Sequence, residues 1–163
     1  MVESDPWQGH VRIRDVEDGD LELFFEHQMD REATRVAAFP ARDRDAFMAH
    51  WAKIRADHSV LTQSIVVDDH VAGNLVSWEQ SGQHEVGYWI GRSDWGRGIA
   101  TRALSLFLGR LKVRPLHAYV AVHNIGSIRV LEKCGFRRVA TQDVPPSTAD
   151  DDGVEQFVFV LEI

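Results

Sequence analysis

The chain has 163 residues, 44% of them hydrophobic and 26% charged, which predicts one soluble globular domain with a continuous core and excludes a disordered or fibrous chain. A formal net charge of −7 and a pI of about 5.6 argue against a nucleic-acid partner, which needs clustered positive charge, and suit a cationic substrate instead. No basic segment leads into an apolar run at the start and no stretch reaches the about 18 apolar residues of a membrane span, so a cytoplasmic protein without membrane contact is expected; the one cysteine, Cys134, rules out an internal disulfide and a cysteine-rich zinc site.

Val11 and Ile13 alternate with Arg12 and Arg14, the period-two signal of a half-buried first strand. Asp18-Gly19-Asp20 then reads as a helix start, and Leu21, Phe24, Phe25 and Met29 recur at helical spacing. A second helix, after a break at Phe39-Pro40, carries Phe47, Trp51 and Ile54 on one face. Three strand-like runs near 59–67, 71–79 and 84–91, separated by Asp68-Asp69-His70 and Gln80-Ser81-Gly82, predict an antiparallel meander. From Ala100, the positions Leu104, Phe107, Leu108 and Leu111 follow one helical face until Pro115 forbids continuation, and a strand near 116–122 comes next. Asn124 is a good helix cap, Ile128, Leu131 and Cys134 form a buried stripe, and Gly135 is placed to end the helix. Strands near 136–143 and 154–162 flank a long exposed loop that holds Pro145-Pro146 and Asp150, Asp151 and Asp152. The expected fold is α/β (α+β): a mixed, mostly antiparallel central sheet of about seven strands flanked by about four helices, in one domain over 1–163.

The strand His84-Glu85-Val86-Gly87-Tyr88-Trp89-Ile90 runs into Gly91-Arg92-Ser93-Asp94-Trp95-Gly96-Arg97-Gly98-Ile99-Ala100-Thr101, which becomes helix. A strand, a tight glycine-containing loop and a helix N-terminus aim several backbone N–H groups at one spot and add the helix dipole, which makes a phosphate site. Gly96 and Gly98 let a pyrophosphate approach the backbone, and Arg97 can add charge. The P-loop pattern is absent. The dinucleotide fingerprint fails too, since Thr101 stands where its third glycine belongs and Leu116-His117-Ala118-Tyr119-Val120 holds no acidic residue.

The loop Trp95-Gly96-Arg97-Gly98-Ile99-Ala100 resembles the Q/R-x-x-G-x-G/A loop of the GCN5-related N-acetyltransferase (GNAT) superfamily. Its first position departs, being Trp95. The strings GYWI, WGRGIAT and HNIGSIRVLEKCGF, over 85–104 and 123–136, make it similar to the branch of ribosomal-protein N-terminal (RimJ/RimL-like) acetyltransferases, where tryptophan at that position is usual. The resemblance implies acetyl-CoA as acyl donor. It also implies that the backbone of Tyr88, Trp89 and Ile90 pairs with the pantetheine amides and that Arg97, Gly98, Ile99, Ala100 and Thr101 hold the pyrophosphate. By the same resemblance Asn124 bonds the cofactor arm and Lys133 meets the outer phosphate, although Asn124 also reads as a plain helix cap and Lys133 as a solvated lysine.

Family enzymes let the amine attack the thioester directly in a ternary complex, so no nucleophilic cysteine is implied, and Cys134 is expected in the core. Many members protonate the departing thiolate with a tyrosine seven residues after the asparagine; here that position is Leu131, and the branch's serine, Ser127, is expected to take the role. Glu85 is the foremost candidate base, ahead of Glu79 and His84. The eight histidines show no metal-ligand spacing, so no metal is expected. The acceptor, a small-molecule amine or a protein N-terminus, should meet the segment 18–57 and the loops 80–84 and 144–153, and a monomer or homodimer is expected. Phe39, Trp51 and Trp78 read either as an aromatic pocket or as core, and Asp150–Asp152 either as an amine attractor or as a solvated turn. An acyl-CoA-binding regulatory module without catalysis is the alternative, motivated by Leu131.

Overall fold

The computed structural model describes residues 9–145 and 153–163. In chain order its elements are β1 (Val11–Arg14), α1 (Asp20–Met29), α2 (Arg31–Ala37), α3 (Arg44–Ala56), β2 (Leu61–Val67), β3 (His70–Gln80), β4 (Gln83–Ile90), a 3-10 turn (Arg92–Asp94), α4 (Ile99–Arg110), β5 (Leu116–Ala121), α5 (Ile125–Lys133), β6 (Arg137–Val144) and β7 (Val154–Leu161). Seven strands form one sheet in the order β1-β2-β3-β4-β5-β7-β6. The described helices number five rather than four. The extra break falls at Asp30, whose backbone is extended (ψ 120°) while its side chain accepts a bond from Ala33 N–H and starts α2. An aspartate between two helical stretches is a stronger start signal than the apolar spacing beside it.

The meander β2-β3-β4 is antiparallel as its alternation predicts, and β1 joins β2 antiparallel. Beyond α4 the sheet continues through β5, which pairs β4 in parallel at only two positions, His84 with Leu116 and Glu85 with His117. From there β4 stays on β3 up to Ile90, while β5 stays on β7 up to Ala121. The two strands therefore diverge, and among the described residues no strand pairs with the β5-side edge of β4 after Glu85.

Two apolar layers hold the sheet. On one face Ile99, Leu104 and Phe107 of α4 and Leu131 of α5 pack on Leu75, Val86, Leu116 and Phe159, all at 4% exposure or less. On the other, Phe24, Phe47 and Trp51 pack together with Val71 and Val76. Trp51 is core rather than pocket, with its ring 5.0 Å from Phe24 and 6.2 Å from Phe47. Burying an aromatic ring stabilises by roughly 2–3 kcal/mol, so this cluster fixes the helical layer on that face.

One polar knot ties β1, α1 and β2. The buried carboxylate of Asp20 accepts from both terminal guanidinium nitrogens of Arg14 (2.7 and 2.9 Å), Glu17 N–H (2.9 Å) and Ser64 Oγ (2.7 Å). Burial alone would raise its pKa, yet these donors outweigh it and hold the group at about 2.

Candidate functional site

Strand alternation divides β4. Val86, Tyr88 and Ile90 face the layer of α4 and α5, so Glu85, Gly87 and Trp89 face the layer of α1–α3. Where β4 and β5 separate, a groove of about 550 Å³ opens between the end of β4, the start of α4, α5 and α2. It is lined by Tyr88, Trp89, Ile90, Gly98, Ile99, Ala100, Thr101, Asn124, Ser127 and Lys133. Ten of the twelve positions singled out in the sequence thus meet in one place; Arg97 and Glu85 are not in its lining.

The loop between β4 and α4 has a backbone geometry that calls for its glycines. Gly96 (φ 78°) and Gly98 (φ 75°) both take left-handed backbone. Gly98 caps α4 with no side-chain hydrogen bond, and the first turn holds no acidic residue. The opening N–H groups of this 12-residue helix thus point outward without intrahelical partners. Trp95 fills the position where the wider family has glutamine or arginine, and its indole N–H donates to the Ile90 carbonyl at 2.9 Å. That bond ties the loop to the end of β4. Beneath it the buried Asp94 lies 3.0 Å from His70 Nε2 and 3.6 Å from Arg97.

Asn124 caps α5, its Oδ1 accepting from Ser127 N–H at 3.2 Å. Ser127 Oγ lies 2.6 Å from the hydroxyl of Tyr88. Burial raises the Tyr88 pKa further above its ordinary value, against a smaller lowering by the Ser127 bond, so the phenol stays protonated. Leu131, at the family's tyrosine position, is 1% exposed in the core. Cys134 is outside the groove lining; its thiol sits 3.6 Å from the Thr101 carbonyl and burial raises its pKa, the opposite of an activated nucleophile.

Glu85 occupies the last parallel pair before the strands part, opposite His117, with Trp78 beside it on β3. Burial raises its carboxyl pKa and His117 counteracts this in part. The buried His117 Nδ1 has no hydrogen-bond partner among the described residues. On the same face the Trp78 ring lies over Gly87, where an added Cβ would stand 3.3 Å from it, and Phe39 meets Trp89 edge-on at 6.4 Å. Glu79 and His84 face each other across β3 and β4 at 3.8 Å, more than a third exposed, and neither lines the groove. Asp150, Asp151 and Asp152 lie outside the described residues.

Sequence reasoning missed six contributors. Arg129 joins Lys133 on the groove wall, a pair legible from its i, i+4 spacing. Ala33, Val36 and Ala37 of α2 were hidden with the helix that carries them. The Tyr88 hydroxyl and the His117 ring come to the site through pairings between distant segments, which no local pattern announces.

Residues 10–137 match the family model described as the acetyltransferase (GNAT) domain. The chain belongs to the GNAT family of acetyltransferases. As a GNAT chain it is similar to the curated Probable N-acetyltransferase YjcK of Bacillus subtilis, 39% identical over 57 residues, a match that spans 32% of this chain and 32% of that protein. The fold is that of spermidine N-acetyltransferase from Vibrio cholerae, solved with CoA and spermine (TM-score 0.79, 17% identity, covering 93% of this chain and 95% of that one). It is equally that of RimL, the ribosomal L7/L12 alpha-N-protein acetyltransferase, solved with coenzyme A (TM-score 0.78, 16% identity, 94% of each chain). No helix among the described residues is long and apolar enough to cross a membrane.

Proposed function

We propose that this chain transfers the acetyl group of acetyl-CoA to a primary amine, on a small molecule or a protein N-terminus, by direct attack within a ternary complex. The observation that carries this reading is the divergence of β4 from β5 directly beside the uncapped start of α4. An amide-bearing arm with a pyrophosphate at its end matches both features: unpaired strand edge for the amides, free helix N–H groups for the phosphates. The similarity to RimL, solved with coenzyme A, supports the same ligand class.

Bound there, acetyl-CoA supplies an activated thioester whose C–S bond breaks as the amine's nitrogen forms the new C–N bond, the electron pair staying on sulfur and the amine losing a proton. Gly98, Ile99, Ala100 and Thr101 would hold the pyrophosphate, with Arg97 at the loop's edge and Arg129 and Lys133 on the facing helix wall. Tyr88, Trp89 and Ile90 would offer backbone to the arm, although the Ile90 carbonyl is already engaged by Trp95. Asn124 keeps its amide nitrogen for the arm while its oxygen caps α5. Glu85 would take the amine's proton, directly or through water, since a carboxylate with a raised pKa is a stronger base. Ser127 would donate to the sulfur that leaves. Phe39, Trp78 and Trp89 give the acceptor side an aromatic wall.

The test is release of free CoA thiol across a panel of small amines and N-terminal peptides, alongside calorimetric titration with CoA. Turnover with some acceptor is expected. CoA binding without turnover on any acceptor would favour a regulatory acyl-CoA-binding module, the reading that the aliphatic Leu131 motivates, and no binding at millimolar CoA would sink both.

A further inference from the structure

Two hydroxyls meet at the groove wall, one per element. Tyr88 reaches from β4, and its Oη lies 2.6 Å from Ser127 Oγ and 3.3 Å from the Ser127 carbonyl oxygen. Ser127 itself is fixed from behind, because its N–H is held by Asn124 Oδ1. A serine hydroxyl has one hydrogen and two lone pairs. Which way that single hydrogen points decides whether Ser127 greets an anion or a donor, and on its own the rotor is free.

We propose that Tyr88 is a positioning residue for Ser127: its phenol donates to Ser127 Oγ and leaves the serine's only hydrogen aimed at a sulfur anion in the groove. A phenol is a far stronger acid than an alcohol, so in a short phenol–alcohol bond the phenol is the donor. Burial favours the protonated phenol and so keeps this donor loaded. Hydrogen bonds in series polarise one another, so a serine that accepts from Tyr88 donates more strongly onward. Ser127 keeps its proton throughout. The C–S bond breaks with its electron pair on sulfur, the hydroxyl pair stabilises that charge, and the proton lost by the amine goes to the base and finally to the thiolate or solvent. Leu131 fits this arrangement: with the family's tyrosine position given to the core, the phenol is supplied from β4, one step behind the serine.

This inference rests on the reading that the groove holds the thiol of CoA, and the experiment separates the two. CoA and desulfo-CoA, which lacks the thiol, are titrated calorimetrically against wild type, Tyr88→Phe, Ser127→Ala and the double variant, at neutral pH and at a pH above the thiol's ionisation. At the higher pH, Ser127→Ala is expected to weaken CoA about 10- to 100-fold and Tyr88→Phe about 3- to 10-fold, as for charged and neutral hydrogen bonds respectively, with desulfo-CoA changed less than about twofold. In the Ser127→Ala background, Tyr88→Phe should add nothing, because the phenol acts only through the serine. Tyr88→Phe keeps the ring, so desulfo-CoA binding and the melting curve report whether the groove survives. Loss of CoA and desulfo-CoA alike would make Tyr88 a packing residue and overturn the proposal. So would an additive double variant, or a Tyr88→Phe enzyme with wild-type preference for the thiolate. Absence of binding by either ligand to wild type would overturn the groove reading itself, and an unchanged preference in Ser127→Ala the serine's role.

Discussion

Gly98→Val separates what the proposed phosphate loop owes to backbone from what it owes to space. A Cβ at Gly98 meets nothing within 4 Å, so the folded chain has no steric objection to a side chain. The objection lies in its backbone, at φ 75° and ψ 13°, where an L-residue costs about 1–2 kcal/mol and a β-branched one more. If the loop keeps its shape, the variant should lose roughly 2–8 °C in Tm, and the valine methyls would stand where a pyrophosphate must approach. If the loop relaxes, the Ile99, Ala100 and Thr101 N–H groups turn away from the ligand. Losing even one hydrogen bond to a charged group costs about 1.5–3 kcal/mol, so CoA should bind at least roughly 10- to 100-fold more weakly. Calorimetric titration with CoA, paired with thermal melts, reads both. Gly98→Ala shares the backbone cost with less bulk, and a gap in affinity between the two variants measures the obstruction. A folded Gly98→Val protein with an unchanged Kd would refute the assignment of this loop to phosphate.

Glu85→Gln should lower kcat about 10²- to 10⁴-fold with acetyl-CoA binding intact; because a base works deprotonated and burial raises the Glu85 pKa, the wild-type rate should rise through a limb above the ordinary glutamate range, and that limb should vanish in the variant. Asp20→Asn should cost about 2 kcal/mol at neutral pH. The depressed pKa of about 2 means that this stability is complete above the unfolded aspartate's pKa and drains as pH falls toward 2, so acid denaturation of the wild type should erase the difference between the two proteins. Arg129→Ala combined with Lys133→Ala should weaken CoA about 10-fold or more while changing dephospho-CoA less, if the pair on α5 meets the outer phosphate. Gly109→Ala, in α4 with open space around it, should stabilise by about 0.5–1 kcal/mol without touching CoA affinity, which a denaturant melt can check.

Much of this was legible in the sequence because its signals are local. Alternation in Val11–Arg14 and in the three runs of the meander depends on neighbours one or two residues apart, and the strands fall where the pattern puts them. The loop Trp95–Thr101 was readable since glycine at a left-handed position is a local necessity. The break at Asp30 is hard to see for a related reason: a single capping residue is its only local mark, beside the apolar spacing of Leu21–Met29. The parting of β4 and β5 leaves no local trace, for Val86–Ile90 alternates alike whether a strand lies beside it or not. Asp20 reads as an ordinary acidic residue in a first helical turn; only the fold buries it against Arg14 and Ser64. His117 and the Tyr88 hydroxyl gain meaning through residues 32 and 39 positions away, a separation at which propensity carries no information.

The two-pair junction between β4 and β5 has a mechanical consequence. Strands β1–β4 and β5–β7–β6 each complete an antiparallel network of their own, and only one end of the seam between them is stitched. A ligand lying along the open end would bond to one half and lean on the other, like mortar between two courses of brick. Occupancy should therefore slow amide exchange along both lips of the seam together and make the halves melt as one. If the acyl donor binds there as proposed, it would be a keystone as well as a reagent, and each departure of spent CoA would return the seam to its looser state.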